Sequence, residues 1–127
     1  MREYLFKGKR LDNGEWIEGS LLVYADGKAS ICRKTANADE MYQCQVDPAT
    51  VGQYTGMTDK HGVKIFEGDI VRHYNNPEEP ETFRAGKIVW DDTTCGFINI
   101  RDDGDVFMVS KECVYEVIGN VPPLGQL

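Results

Sequence analysis

Between Asp47 and Val71 a turn former recurs every few residues, and this punctuation limits the chain to short extended segments. Asp47-Pro48 opens the stretch, because proline fixes its own φ and pushes the preceding residue toward extended geometry. Thr50, Val51, Tyr54 and Thr55 supply β-branched and aromatic side chains, interrupted by Gly52 and Gly56. Thr58-Asp59-Lys60-His61-Gly62 reads as a hairpin loop closed by a glycine, with Val63 to Phe66 as the return strand. Glu67-Gly68-Asp69 is a second turn, launching a strand from Ile70 to Tyr74.

The same grammar runs through the rest. Glu3–Lys7 is a first strand, Asn13-Gly14 a hairpin turn, Trp16–Tyr24 a second strand with Gly19 as a bulge, and Asp26-Gly27 a turn back through Ala29–Arg33. Residues 34–45 carry the weakest signal, a polar loop followed by an apolar pattern from Met41 to Val46. Asn75 to Glu81 is acidic and proline-bearing, an exposed mobile loop. Strands follow at Thr82–Trp90, Cys95–Ile100, Val106–Val109 and Cys113–Ile118, separated by Asp-rich turns. No segment holds a helical period for twelve residues. The expectation is a mainly β protein with little helix: an N-terminal β-meander (1–46), a hairpin junction (47–68), an SH3-like small barrel (69–120) and a tail (121–127).

Size and charge narrow the function classes. A chain of 127 residues is long enough to hold a core without disulfides or metal. Cys32, Cys44, Cys95 and Cys113 never form CxxC, and nothing at the N-terminus resembles a signal core, so reduced thiols in the cytoplasm are expected. The longest apolar run, Ser20 to Ala25, is too short for a membrane helix. The net charge of −7 is uneven: residues 1–35 sum to +2 and the remainder to −9. That acidity disfavours nucleic acid as the main partner. Lys7, Lys9 and Arg10 form a small basic run, a solvated strand face or a contact for nucleic acid or an acidic neighbouring subunit.

Candidate chemistry is thin. Glu67 and Asp69 flank Gly68 and are the most conspicuous paired carboxylates, a pattern capable of acid–base or metal work. The structural alternative has Gly68 making the turn, Asp69 accepting local backbone N–H groups and Glu67 facing solvent or a neighbouring subunit. Asp91-Asp92 and Asp102-Asp103-Gly104-Asp105 lack the spacing and the glutamate of an EF-hand. Cys32 and Cys44 lie too far apart for the usual spacing of paired zinc ligands. His61 and His73 have no nucleophile motif nearby and read as surface residues, and no phosphate-binding glycine loop is present. Most of Tyr4, Phe6, Trp16, Tyr54, Phe66, Trp90 and Phe97 are expected in the core. No catalytic residue, metal site or cofactor is expected.

Several motifs together resemble the YopX family. They are Phe6-Lys7-Gly8-Lys9-Arg10, Gly14 to Ser20, Asp47-Pro48 with Thr50 to Gly56, Asp59-Lys60-His61-Gly62, Ile65 to Val71 and Glu116 to Asn120. The resemblance implies a bacteriophage or prophage protein, largely β, with a C-terminal SH3-like barrel, a tendency to homo-oligomerise and no catalytic residues. The expected function is that of a non-enzymatic accessory protein in the host cytoplasm, contacting copies of itself or an unknown host or phage protein. A nucleic-acid-associated module using the barrel face and the basic N-terminal residues is the first alternative. A small metal-dependent hydrolase or nuclease is the second.

Overall fold

The computed structural model describes residues 4–34, 40–74, 78–79, 83–111 and 113–120. The stretches 35–39, 75–77 and 80–81, read as loops, and the tail 121–127 lie outside the described residues. Eleven strands and a single 3-10 turn make up the regular structure of the described residues, which contain no α-helix. Two compact units divide between Tyr54 and Thr55, inside the 47–68 stretch.

In the first unit, β1 (Phe6–Lys9), β2 (Trp16–Val23), β3 (Ala29–Lys34) and β4 (Met41–Val46) form an antiparallel meander. The other edge of β1 pairs with Gly52 and Gln53, the start of β5 (Gly52–Thr58). The end of β4 also returns to β1. Val46 bridges Arg10, the Leu11 N–H donates to the Gln45 carbonyl at 3.1 Å, and the Asp47 N–H donates to the Lys9 carbonyl at 2.9 Å. This folding-over encloses the inward side chains, because alternate residues of a strand share one face. Ile17, Ala29, Ile31, Cys44 and Val46 form the buried set, with Phe6, Leu21, Tyr42 and Val51 packed against it.

Thr50 and Val51 do not continue a strand. Pro48–Thr50 is the 3-10 turn, started by Asp47, whose Oδ1 accepts the Ala49 N–H at 3.0 Å. Proline at the first helical position loses no needed donor, and the capping aspartate outcompetes the β preference of the short run that follows.

The second unit contains the rest of β5, β6 (Lys64–Phe66), β7 (Asp69–Tyr74), β8 (Phe83–Asp91), β9 (Gly96–Arg101), β10 (Val106–Met108) and β11 (Val114–Asn120). The last five form an antiparallel sheet in the order β10-β9-β8-β7-β11. Its ladder is open: no pairing joins β10 to β11 among the described residues. Ile65 of β6, with Val71, Ile88 and Tyr115 of the sheet, forms the unit's fully buried core. Each of the three aliphatic side chains is worth roughly 1.5–3 kcal/mol of burial, so this set is a principal source of the unit's stability. Not every large aromatic joins a core. Tyr54 and Phe66 are buried, whereas Tyr4, Trp16 and Trp90 stay substantially exposed. In thin sheets with one inward face, the outward positions take aromatics that pack along the surface, as Trp90 does edge-on against Phe97 at 5.1 Å.

Candidate functional site

The basic run lies on β1 and its exit. Lys7 and Lys9 point outward on alternate positions, opposite Glu18 and Trp16 respectively. Their ammonium groups sit 4.8 and 5.5 Å from the centre of the Trp16 ring. Arg10 diverges from them. It forks onto Asp12, Nε to Oδ1 at 2.9 Å and an Nη to Oδ2 at 2.7 Å, and its guanidinium stands 5.6 Å from the Tyr42 ring. The bidentate hydrogen bond raises the Arg10 pKa and lowers that of Asp12. The structure therefore brings Lys7 and Lys9 together and engages Arg10 elsewhere.

Glu67 and Asp69 are separated in role by Gly68, whose φ of 94° makes the turn that an L side chain would strain. Asp69 is 1% exposed, and its carboxylate accepts the Phe66 N–H at 2.8 Å and the Asn120 amide at 3.1 Å. Glu67 is half-buried in the same turn. A carboxylate spent on a backbone donor and a neighbouring strand is a turn lock, and it presents no free acid–base edge.

The most elaborate polar assembly of the second unit gathers around the Asp59–Gly62 loop. Asp59 is buried, and its Oδ1 accepts the His61 and Val63 N–H groups at 2.8 and 2.9 Å while Oδ2 accepts the Val117 N–H at 3.0 Å. Burial alone would push this carboxyl up, but the Val117, Val63 and His61 donors together hold it below its ordinary value. The Lys60 N–H donates to the Tyr115 carbonyl at 2.9 Å, so the loop hydrogen-bonds along the free edge of β11. Outside it, Glu116 takes His61 Nε2 at 2.9 Å on one oxygen and an Arg72 Nη at 2.8 Å on the other, with the Tyr74 hydroxyl at 3.4 Å. His61 and Arg72 hold the Glu116 carboxyl below its usual range against a smaller opposing effect of burial. A carboxylate already neutralised by two donors has little basicity left for proton abstraction.

A second polar set was not legible in the sequence. His73, read as a surface residue, is 6% exposed. It lies on the inward face of β7, edge-on to Phe107 at 4.8 Å and tilted against Tyr115 at 5.0 Å. Asn99, fully buried, donates Nδ2 to His73 Nδ1 at 3.4 Å, which requires an unprotonated Nδ1. Arg101 is buried beside them, its guanidinium 4.9 Å from the Phe107 ring and its charge met by Asp103, Nε to Oδ1 at 3.2 Å. Among the described residues, Asn99 Oδ1 and the Tyr115 hydroxyl have no hydrogen-bond partner. Burial drives the Tyr115 phenol well above its usual range, so it is no base at neutral pH. The two-residue spacing of His73 from Val71, and of Asn99 from Arg101, is the signal that places them inward, and their polarity argues against it.

Burial, with a further push from Arg101 outweighing the pull of Asp103, lowers the His73 pKa below 6.5. The unfolded chain then binds more protons than the folded one once pH falls below 6.5, so stability is present above that value and is lost as pH falls through the folded-state pKa. The urea midpoint is expected to decrease between pH 7.5 and 5.5, and His73→Asn is expected to remove that slope. A wild-type midpoint constant over this interval would contradict the assignment.

The four cysteines are free. Neither histidine has a nucleophilic hydroxyl or thiol as a hydrogen-bond partner among the described contacts; their polar side-chain partners are Glu116 and Asn99. Among the described residues no group of three His, Cys, Asp or Glu side chains is placed to hold a metal ion, and no helix is long and apolar enough to cross a membrane.

The YopX protein family matches residues 5–122, nearly the whole chain. The chain belongs to the YopX family. Within this YopX-family fold, the Asp59-Lys60-His61-Gly62 and Ile65 to Val71 motifs are the loop on the β11 edge and the turn locked by Asp69. The fold is also similar to the crystal structure of protein EF1440 from Enterococcus faecalis, with a TM-score of 0.54, 19% sequence identity and 94% of each chain covered. No curated protein matches the chain.

Proposed function

We propose that this YopX-family chain is a non-enzymatic accessory protein of phage or prophage origin that works in the bacterial cytoplasm through protein–protein contacts, as a homo-oligomer. In this reading the five strands β7 to β11 are an SH3-like barrel unit whose long β7–β8 connection and short β10 follow that pattern. The observation that carries assembly is the outward side of the β9–β10 hairpin. Ile100 and Val106 are cross-strand partners, Met108 follows two residues later on the same side, and they are 43%, 56% and 52% exposed. β10 carries no charge and is the outer edge of its sheet, an arrangement that a solitary protein normally blunts with lysine or proline. The non-enzymatic reading rests on carboxylates and histidines already spent on backbone and ion-pair partners.

Light scattering behind a sizing column tests it. Wild-type protein at micromolar concentration is expected at a multiple of 14.3 kDa, and the Val106→Lys, Met108→Lys double variant at the single-chain mass. A strictly monomeric wild type would remove the assembly reading. Retained assembly in the double variant would move the interface elsewhere.

A further inference from the structure

The outward face of the first unit differs from the rest of this acidic protein. Alternation from Ile17 and Cys44, which point inward, places Lys7, Lys9, Trp16, Glu18, Ser20, Lys34, Gln43 and Gln45 on the other side of β1 to β4. Three lysines on these strands face one carboxylate, Glu18, in a chain whose net charge is −7. Trp16 is 38% exposed with two ammonium groups over its ring. Farther along, Tyr24 is 45% exposed and its hydroxyl accepts the Gln43 amide at 2.6 Å, at a shallow depression that Asp26, Lys28, Ser30 and Gln45 also line.

We propose that this face binds single-stranded nucleic acid, with Trp16 as a base-stacking platform and Lys7 and Lys9 as phosphate contacts. The chemistry favours single strands over duplex. The outward strands offer no element that enters a groove, whereas an exposed indole accepts any unstacked base. A base stacking on Trp16 displaces the two ammonium groups from over the ring onto its flanking phosphates, and the amides of Gln43 and Gln45 can meet base edges. The surrounding negative charge predicts modest affinity and strong salt dependence. The inference is independent of the assembly proposed for the β9–β10 hairpin, which lies in the other unit.

The test uses fluorescence anisotropy of a labelled twelve-residue oligothymidylate with full-length protein. Saturable binding is expected at low salt, with log K falling against log salt with a slope of about −1.4 for the two phosphate contacts. Trp16→Leu is expected to weaken binding about tenfold or more and Trp16→Phe much less, since base stacking and not apolar bulk is removed. Lys7→Gln with Lys9→Gln is expected to weaken binding and flatten the salt slope by about 1.4. Circular dichroism melts verify folding, and all these positions point outward. No binding at low salt, equal binding of Trp16→Leu, or equal affinity for a duplex or a polyglutamate of matched charge would overturn the proposal.

Discussion

Replacing Gly19 by alanine is expected to destabilise the first unit strongly while leaving the second intact. Gly19 is buried in β2, paired with Phe6 across β1, and the next residue begins the ladder to β3. A Cβ at this position would overlap the Cys32 carbonyl oxygen and lie 3.0 Å from both the Cys32 carbonyl carbon and Ile31 Cγ2. The obstacle is backbone, so no rotamer change relieves it. Moving β3 away would break the pairing of Ser20 to Val23 with Ala29 to Cys32 and draw Ile31, fully buried, out of its core. A cost of about 3 kcal/mol or more follows, at the upper end for overpacking. Each unit holds one of the two tryptophans, which makes the effect separable. In a Trp90→Phe background, Trp16 emission is expected to report a large loss in urea midpoint for Gly19→Ala. In a Trp16→Phe background, Trp90 is expected to report little change. Ser20→Ala, one residue on and exposed, is expected to stay within about 0.5 kcal/mol. A Gly19→Ala midpoint equal to wild type would refute the close approach.

Gly19 also marks how far the sequence could be read. Turn formers and alternating strands carried the mainly β architecture, and the strand count from Asp69 onward is the one found, because hairpin turns are local and their residue requirements are steep. The sequence signal at Gly19 suggested a bulge in one strand. Its structural cause is the backbone of β3, brought close by the folding-over of the meander, and no local pattern encodes a neighbour's carbonyl. The same holds for His73, Asn99 and Arg101. Each is polar on a strand, and polarity normally marks the outward face. Their inward placement depends on one another and on Phe107, so it emerges only when the folded sheet brings side chains of β7, β9 and β10 together on one face of β8. At the Asp59–Gly62 loop the turn was legible but its partner was not, since Val117 lies 58 residues away. The basic run was legible as composition, and only the register of β1 with β2 separates Lys7 and Lys9, gathered on Trp16, from Arg10, bound to Asp12.

Asp59 carries the second large effect. Its carboxylate serves three backbone donors, two within its own loop and one on β11, and so joins the hairpin loop to the edge of the sheet. Alanine there removes both acceptor oxygens, and all three hydrogen bonds, at once. The exposed loop can recover water for His61, but the Val117 N–H is left facing a buried gap, so a loss of about 3 kcal/mol is expected. Asparagine separates the contributions. With its oxygen kept toward His61 and Val63, its amide nitrogen opposes the Val117 N–H, donor against donor; with the amide turned over, the two loop donors lose instead. A cost of about 1–2 kcal/mol is expected for Asp59→Asn, with native-state exchange of the Val117 amide the most sensitive readout. The pH dependence has its own sign and window. The folded-state pKa of Asp59 is lowered from 3.8, so its contribution is complete above that value and disappears as pH falls through the folded pKa, well below the His73 interval. Glu116, lowered from 4.5 by His61 and Arg72, loses its contribution over the adjoining range. Asp59→Asn is therefore expected to flatten the acid limb of the stability profile below pH 4 and to leave the His73 slope untouched. Unchanged Val117 exchange in Asp59→Ala would show that the loop does not hold the β11 edge.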